Sequence, residues 1–271
     1  MVYQLIEKQV EINGYNISYV SRGINSTSTP ILLLHGWGVG LEAYYEVINS
    51  LSQYHSIIAP YLPGFGKSSD IEKNWSYNTY AQYIIQLIVK LNIPKVHIIG
   101  HSLGGGIAAT IAATAPHLIK SVILVGSTGI PVEALPLVLP KRAIEMAAQF
   151  PQMKFPQLLQ IFQGFSYNLF FRASTVIYTL LLALQADIEP LLCKIQAPCL
   201  LLWGTNDLTI PIDLGRKFLH QIKNSRLITI EGVYHEWNIF FVEKFTKLVI
   251  DFINEIELKP QGNTQLKWKN G

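Results

Sequence analysis

The segment Val96-His97-Ile98-Ile99-Gly100-His101-Ser102-Leu103-Gly104-Gly105-Gly106 constrains the fold more than any other part of the chain. An apolar, alternating run leads into it and a run of small and apolar residues leads out as far as position 115, so the sequence predicts a buried strand followed at once by a helix. A chain that turns from strand to helix through Gly-x-Ser-x-Gly holds its serine in a strained backbone conformation. Glycines stand two before and two after because a Cβ there would strike the crossing segment. The hydroxyl of Ser102 then projects from the sheet edge at a helix N-terminus, where free N–H groups and the helix dipole favour negative charge. That is the geometry of a nucleophile. A bare pentad of this kind also arises by chance in loops; the flanking strand and helix patterns are what give this one its meaning.

Strand and helix patterns alternate on both sides of the segment. Residues 10–20 read as two short strands around Asn13-Gly14, with Ile12, Ile17, Tyr19 and Val20 facing inward. Ile31-Leu32-Leu33-Leu34 is an unbroken apolar run, as expected of a strand buried on both faces, and it ends in His35-Gly36-Trp37. Helical periodicity follows at 42–53, a strand at 55–60, and an amphipathic helix at 77–91 with Tyr80, Tyr83, Ile84, Leu87, Ile88 and Leu91 on its apolar side. A strand at 121–125 comes after the Ser102 helix. The alternation then stops between 129 and 187, where five prolines and helical periodicity leave no strand. It resumes with Cys199-Leu200-Leu201-Leu202-Trp203, a helix at 213–222, a strand at 226–230 and a helix at 242–255. The expected architecture is therefore α/β with one mostly parallel sheet. A helical cap at 130–187 divides a core made of 1–129 and 188–257, and the polar stretch 258–271 reads as a flexible tail.

A length of 271 residues suits one such domain with an insertion, and 49% hydrophobic against 14% charged residues suits a large core and argues against disorder. No apolar run reaches the ~18 residues of a membrane span. The N-terminus carries Glu7 and Lys8 and lacks the pattern of a secretory signal, so the expected location is the cytoplasm. A net charge of +3 with scattered basic residues leaves no nucleic-acid footprint. Cys193 and Cys199 show no metal-ligand spacing with histidine and read as two buried, inert thiols.

A serine hydroxyl is a poor nucleophile unless a histidine takes its proton and a third group holds that histidine in the right tautomer. In an open α/β sheet such partners belong in loops after the carboxyl ends of later strands. Two such loops carry candidates: Trp203-Gly204-Thr205-Asn206-Asp207 offers Asp207, and Glu231-Gly232-Val233-Tyr234-His235 offers His235. The loop before the interruption, Gly126-Ser127-Thr128-Gly129, holds no carboxylate.

With these motifs in this order the chain resembles the α/β-hydrolase family, in its capped serine esterase and lipase members, over nearly its whole length. The resemblance implies an eight-stranded, mostly parallel sheet flanked by helices, with the cap inserted after strand 6. It implies Ser102 as nucleophile, His235 as general base and Asp207 as the acid that orients it. His35-Gly36-Trp37 is similar to the family's His-Gly turn after the third strand, so the backbone N–H groups of Trp37 and Leu103 would form an oxyanion hole. Losing one such donor typically costs roughly 3 kcal/mol of barrier lowering. His35, Gly36, Gly100, His101 and Gly104 would surround these groups, the two histidines through structural hydrogen bonds. Tyr61-Leu62-Pro63-Gly64-Phe65-Gly66-Lys67-Ser68-Ser69 resembles the family's Asp-x-Pro-Gly-x-Gly-x-Ser loop, with Tyr61 in place of an aspartate that anchors structure in relatives. His55, His97, His117 and His220 have no motif around them.

The implied activity is hydrolysis of a carboxylic ester with an apolar acyl or aryl group through an acyl-enzyme, with neither metal nor organic cofactor. Phe150, Met153, Phe155, Phe162, Phe165, Phe170, Phe171 and Tyr178 are expected to build a small helical core, some of them lining an apolar pocket. No arginine pair marks an anion clamp; Lys141, Arg142 and Arg172 are dispersed. The same residues are compatible with carbon–carbon bond hydrolysis, with acyl transfer, and with a non-catalytic ligand-binding receptor. Dehalogenase and epoxide hydrolase relatives carry aspartate where Ser102 stands.

Overall fold

The computed structural model describes residues 5–23, 28–72, 75–152 and 155–258. Its strands are β1 (Ile6–Ile12), β2 (Tyr15–Arg22), β3 (Ile31–Leu34), β4 (Ile57–Pro60), β5 (Val96–His101), β6 (Ile119–Val125), β7 (Cys199–Gly204) and β8 (Ser225–Ile230). They form one sheet in the order β1-β2-β4-β3-β5-β6-β7-β8. Every pairing from β4 to β8 is parallel, and only β1 with β2 and β2 with β4 run antiparallel. The expected eight-stranded, mostly parallel sheet is thus present. β1 starts at Ile6, well before the strand pattern becomes visible near position 10. As an edge strand it leaves most of its side chains exposed, so Glu7, Lys8 and Gln9 mask the alternation. Asn13 and Gly14 close the hairpin with φ of 50° and 82°, the positive pair that a two-residue turn demands.

Strands β3, β4, β5 and β7 are buried along their full length, which is why they read as apolar runs. Successive residues serve opposite faces. Leu32, Leu34, Ile98, Val122 and Leu201 pack under the helices Tyr77–Lys90, Leu103–Thr114 and Ile212–Gln221, whereas Leu33, Ile99, Ile123 and Leu202 meet the helices Tyr45–Leu51 and Val242–Glu257. The Tyr77–Lys90 helix opens on a reciprocal cap: Ser76 Oγ accepts the Thr79 N–H at 3.2 Å, and the Ser76 N–H donates to Thr79 Oγ1 at 3.3 Å.

Between β6 and β7 the chain forms the helices Leu135–Gln149, Phe155–Phe171 and Ala173–Gln185, the last two bent by 110° at their junction. They sit over the carboxyl ends of the strands. Trp37 Nε1 donates to the Val176 carbonyl at 2.8 Å, and Asn168 bridges Gly38 and Gly66. No single helix among the described residues is long and apolar enough to cross a membrane. The expected tail lies outside the described residues apart from Leu258, as do Met153 and the side chain of Phe155. One expectation is overturned: Cys193 is exposed, because it follows the short surface helix Glu189–Leu192, and only Cys199, inside β7, is buried.

Candidate active site

Sheet register brings three loop starts together. Leu34 of β3 pairs with Gly100 of β5, and His101 pairs with Val125 of β6, so the turns beginning at His35, Ser102 and Gly126 lie side by side. Ser102 has φ 53° and ψ −119°, a conformation that strains any residue bearing a Cβ by about 1–3 kcal/mol. Its backbone is pinned from several directions. The Ser102 N–H donates to the Val125 carbonyl at 3.0 Å, and its own carbonyl accepts from Gly105 N at 2.8 Å, Thr128 N at 3.1 Å and Thr128 Oγ1 at 3.0 Å. Tyr77 OH, 2.6 Å from Thr128 Oγ1, supplies that hydroxyl with a proton in turn. The flanking glycines are sterically required: a Cβ on Gly100 would lie 2.3 Å from the Gly104 carbonyl oxygen, and one on Gly104 would lie 2.4 Å from that of Leu34.

Asp207 and His235 come from the loops after β7 and β8, and the Asn206 N–H ties those loops together through the Val233 carbonyl at 3.0 Å. Both side chains are buried. His235 Nδ1–H donates to Asp207 Oδ2 at 2.7 Å, while Asp207 Oδ1 accepts the Ile210 N–H at 2.6 Å. With Nδ1 committed, Nε2 is the nitrogen left to take up a proton. Burial pushes the imidazole down, but the Asp207 carboxylate, aided by Glu236 and Glu145, outweighs it and holds the His235 pKa above the usual 6.5. Ser102 lines the same pocket as His235, yet its Oγ has no hydrogen-bond partner among the described residues. Such contacts are often loose before substrate binds.

The Trp37 N–H and Leu103 N–H have no acceptor among the described residues, Leu103 being the first residue of its helix. The turn that carries Trp37 is fixed by two histidines. The Leu62 N–H donates to His35 Nε2 at 2.9 Å, so His35 Nδ1 carries the proton and donates to the Gly36 carbonyl at 2.8 Å. The Gly36 N–H donates to Tyr44 OH at 2.9 Å, Tyr44 OH donates to His101 Nδ1 at 2.6 Å, and His101 Nε2–H donates to the His235 carbonyl at 3.1 Å. Burial lowers the pKa of His101 to about 3 and that of His35 to about 4, which keeps both neutral and these tautomers fixed. Tyr61 donates to Glu42 at 2.6 Å, so a tyrosine–glutamate pair anchors the start of this loop.

The pocket over Ser102 is a cavity of about 80 Å³. Its apolar wall comes from Trp37, Leu135, Val138, Leu139, Leu180, Ala183, Leu184 and Ile210, and none of the expected cap aromatics whose side chains are described lines it. Phe150, Phe162, Phe170 and Phe171 are exposed, with Phe170 at 85%, because the helices turn these positions outward. Phe165 packs against Trp37 with ring centroids 5.9 Å apart. The only arginine or lysine on the pocket wall, among the described residues, is Arg142, and it is already paired: both terminal guanidinium nitrogens donate to Glu236, and Nη1 also reaches Glu145 at 3.2 Å.

Sequence reasoning missed Tyr44, Glu145, Gln149 and Glu236. Glu145 had one available signal: it is the sole acid between positions 134 and 186. His97 also gains partners, accepting from Ser121 Oγ at 2.7 Å and donating to Glu257 at 2.9 Å, but at the opposite end of the sheet. Burial lowers its pKa to about 4.

Residues 29–169 match the family model described as alpha/beta hydrolase fold. The chain is 26% identical over 278 residues to the 2-hydroxy-6-oxo-6-phenylhexa-2,4-dienoate hydrolase of Burkholderia cepacia, a match covering 91% of this chain and 96% of that one. Several other curated relatives are matched over only about a third of their length. One is the dihydrolipoyllysine-residue acetyltransferase component of the acetoin cleaving system of Cupriavidus necator, 29% identical over 119 residues, 44% of this chain and 31% of that one. A solved structure of a bacterial membrane phospholipase A superposes with a TM-score of 0.81 at 22% identity, covering 94% of this chain and 87% of that one.

Proposed function

The chain belongs to the alpha/beta hydrolase family, and from that premise we propose that it is a serine hydrolase acting on a neutral carboxylic ester with an apolar acyl or aryl group. The observation that carries this reading is the pairing of a strained Ser102 with a His235 held by Asp207 at 2.7 Å on one small pocket. Ser102 Oγ attacks the ester carbonyl as His235 Nε2 takes its proton, and the imidazolium then protonates the leaving alcohol. Water, activated by the same imidazole, releases the acid from the acyl-enzyme. The N–H groups of Trp37 and Leu103 receive the charge that develops on the carbonyl oxygen, each contributing roughly 3 kcal/mol. Residues 130–187 act as a cap over the two-part core, and the Leu135–Gln149 helix walls the substrate chamber.

A neutral substrate follows from the charges. Glu236 and Glu145 already claim Arg142, so an added carboxylate would find no unpaired arginine or lysine among the described pocket residues, and several anions nearby. Wild-type protein should be labelled covalently by a fluorophosphonate probe at Ser102 and should turn over short p-nitrophenyl esters. Ser102→Ala should lose both while remaining folded; unchanged turnover in that variant removes the assignment.

Carbon–carbon bond hydrolysis is the second reading, favoured by the near full-length likeness to the Burkholderia cepacia enzyme. Faster turnover of that enzyme's dienoate than of neutral aryl esters would put it first.

A further inference from the structure

Glu145 is an acid with no exposed surface, placed on a helix outside the α/β core, and its carboxylate reaches into both loops that carry the candidate acid and base. Oε1 accepts the His235 N–H at 3.0 Å and the Leu208 N–H at 3.2 Å. Oε2 accepts from the Thr209 hydroxyl and from Arg142 Nη1. Each oxygen is therefore doubly used, and three of the four donors belong to His235 itself or to the two residues that follow Asp207. Gln149, one turn further along the same face, repeats the pattern on the next residue: its Nε2 donates to Glu236 Oε2 at 2.8 Å and its Oε1 accepts the Glu236 N–H at 3.3 Å. Arg142, one turn earlier, completes the face by its paired contacts with Glu236. Helical spacing of three and four residues puts 142, 145 and 149 in one line.

We propose that Glu145 is a positioning residue for the hydrolytic reaction: it holds the Asp207 and His235 loops in register, so that the base is correctly placed only while the Leu135–Gln149 helix is seated on the core. The proposal rests on the serine hydrolase reading above and adds to it a coupling between substrate entry and catalytic order. Leu135, Val138 and Leu139 of this same helix wall the narrow pocket over Ser102. A shift of this helix to admit substrate would withdraw Glu145 from both loops. Re-seating restores its four contacts and the placement of His235 together. Burial makes the contacts binding in both directions, since a carboxylate withdrawn from these donors leaves buried N–H groups without partners.

The test compares Glu145→Gln and Glu145→Ala with wild type in steady-state hydrolysis of a p-nitrophenyl ester across a pH series, alongside fluorophosphonate labelling and thermal unfolding. The charged and titratable groups facing His235 are Asp207 from the β7 loop, Glu145 and Arg142 from the helix, the adjacent Glu236, and His101 with its ring centroid 4.9 Å away. Glu145→Gln keeps an oxygen for the His235 and Leu208 N–H groups but removes one anion. It should retain kcat within about tenfold of wild type and move the acidic limb of kcat/KM to lower pH. Glu145→Ala should lower kcat at least tenfold beyond the glutamine variant with little change in KM. A glutamine variant with an unmoved acidic limb, or a folded alanine variant with wild-type kcat, overturns the proposal. Should the alanine variant not fold, the pH limb of the glutamine variant decides alone. Failure of the underlying reading would show separately, as wild-type protein that is neither labelled nor active, and it would take this proposal with it.

Discussion

Exchanging Ser102 for glycine should make the protein more stable, although it removes the candidate nucleophile. Ser102 sits at φ 53° and ψ −119°, where a Cβ is strained by about 1–3 kcal/mol and glycine is not. Glycine returns roughly 0.5–1 kcal/mol of that gain through the greater freedom of the unfolded chain. The hydroxyl has no hydrogen-bond partner among the described residues, so its removal leaves no group newly unpaired. Alanine is the matched control, since it also lacks the hydroxyl but keeps the Cβ and hence the strain. The net difference is about 1 kcal/mol in favour of glycine, which for a domain of this size corresponds to a melting temperature about 2–4 °C above that of the alanine variant. Differential scanning calorimetry of the two inactive variants in one buffer measures it. An alanine variant that melts at or above the glycine variant would refute the claim that the turn stores strain at this residue.

Asp207→Asn should lower kcat about 10⁴-fold, as expected when the group opposite Nδ1 can no longer fix the imidazole tautomer, and KM should change little in steady-state ester hydrolysis. The imidazole accepts a proton only when neutral and its pKa is raised, so kcat/KM should fall on acidification with a midpoint above pH 6.5. A pH series that places this limb below 6.5 contradicts the assignment of His235 as base. Gly104→Ala would push a Cβ to 2.4 Å from the Leu34 carbonyl oxygen and 2.6 Å from that of His35, both rigid backbone. Thermal unfolding should show a loss at the upper end of the ~1–3 kcal/mol typical of overpacking, and an unchanged melting temperature would argue against the crossing geometry.

The sheet was readable wherever strands are buried on both faces. Ile31–Leu34 and Cys199–Gly204 appear as apolar runs because nothing on either side of them is wet. β1 was half hidden for the opposite reason, since its exposed edge tolerates Glu7, Lys8 and Gln9. Ser102, Asp207 and His235 stand out because each follows a strand in a recognisable turn. Glu145 and Tyr44 do not, because their contacts join positions 90 and 57 residues apart and no local pattern encodes them. The aromatic lining failed on a related point. Composition predicts that the helices between β6 and β7 are apolar, but not which of their faces meets the core, and Phe162, Phe170 and Phe171 turn out to face away.

A hydroxyl, an imidazole and a carboxylate gather near each end of β5: Ser121, His97 and Glu257 linked by hydrogen bonds where the strand begins, and Ser102 beside the hydrogen-bonded pair His235 and Asp207 where it finishes. A search by side-chain hydrogen bonds alone would rank the first set above the second, because its contacts are already complete. What Ser121 lacks is a way to be reached: it has no exposed surface and sits within a regular strand. Polarity of the strand, rather than possession of the three side chains, decides which set a solute can visit, and the inaccessible copy is left to fasten the C-terminal helix to the floor of the sheet.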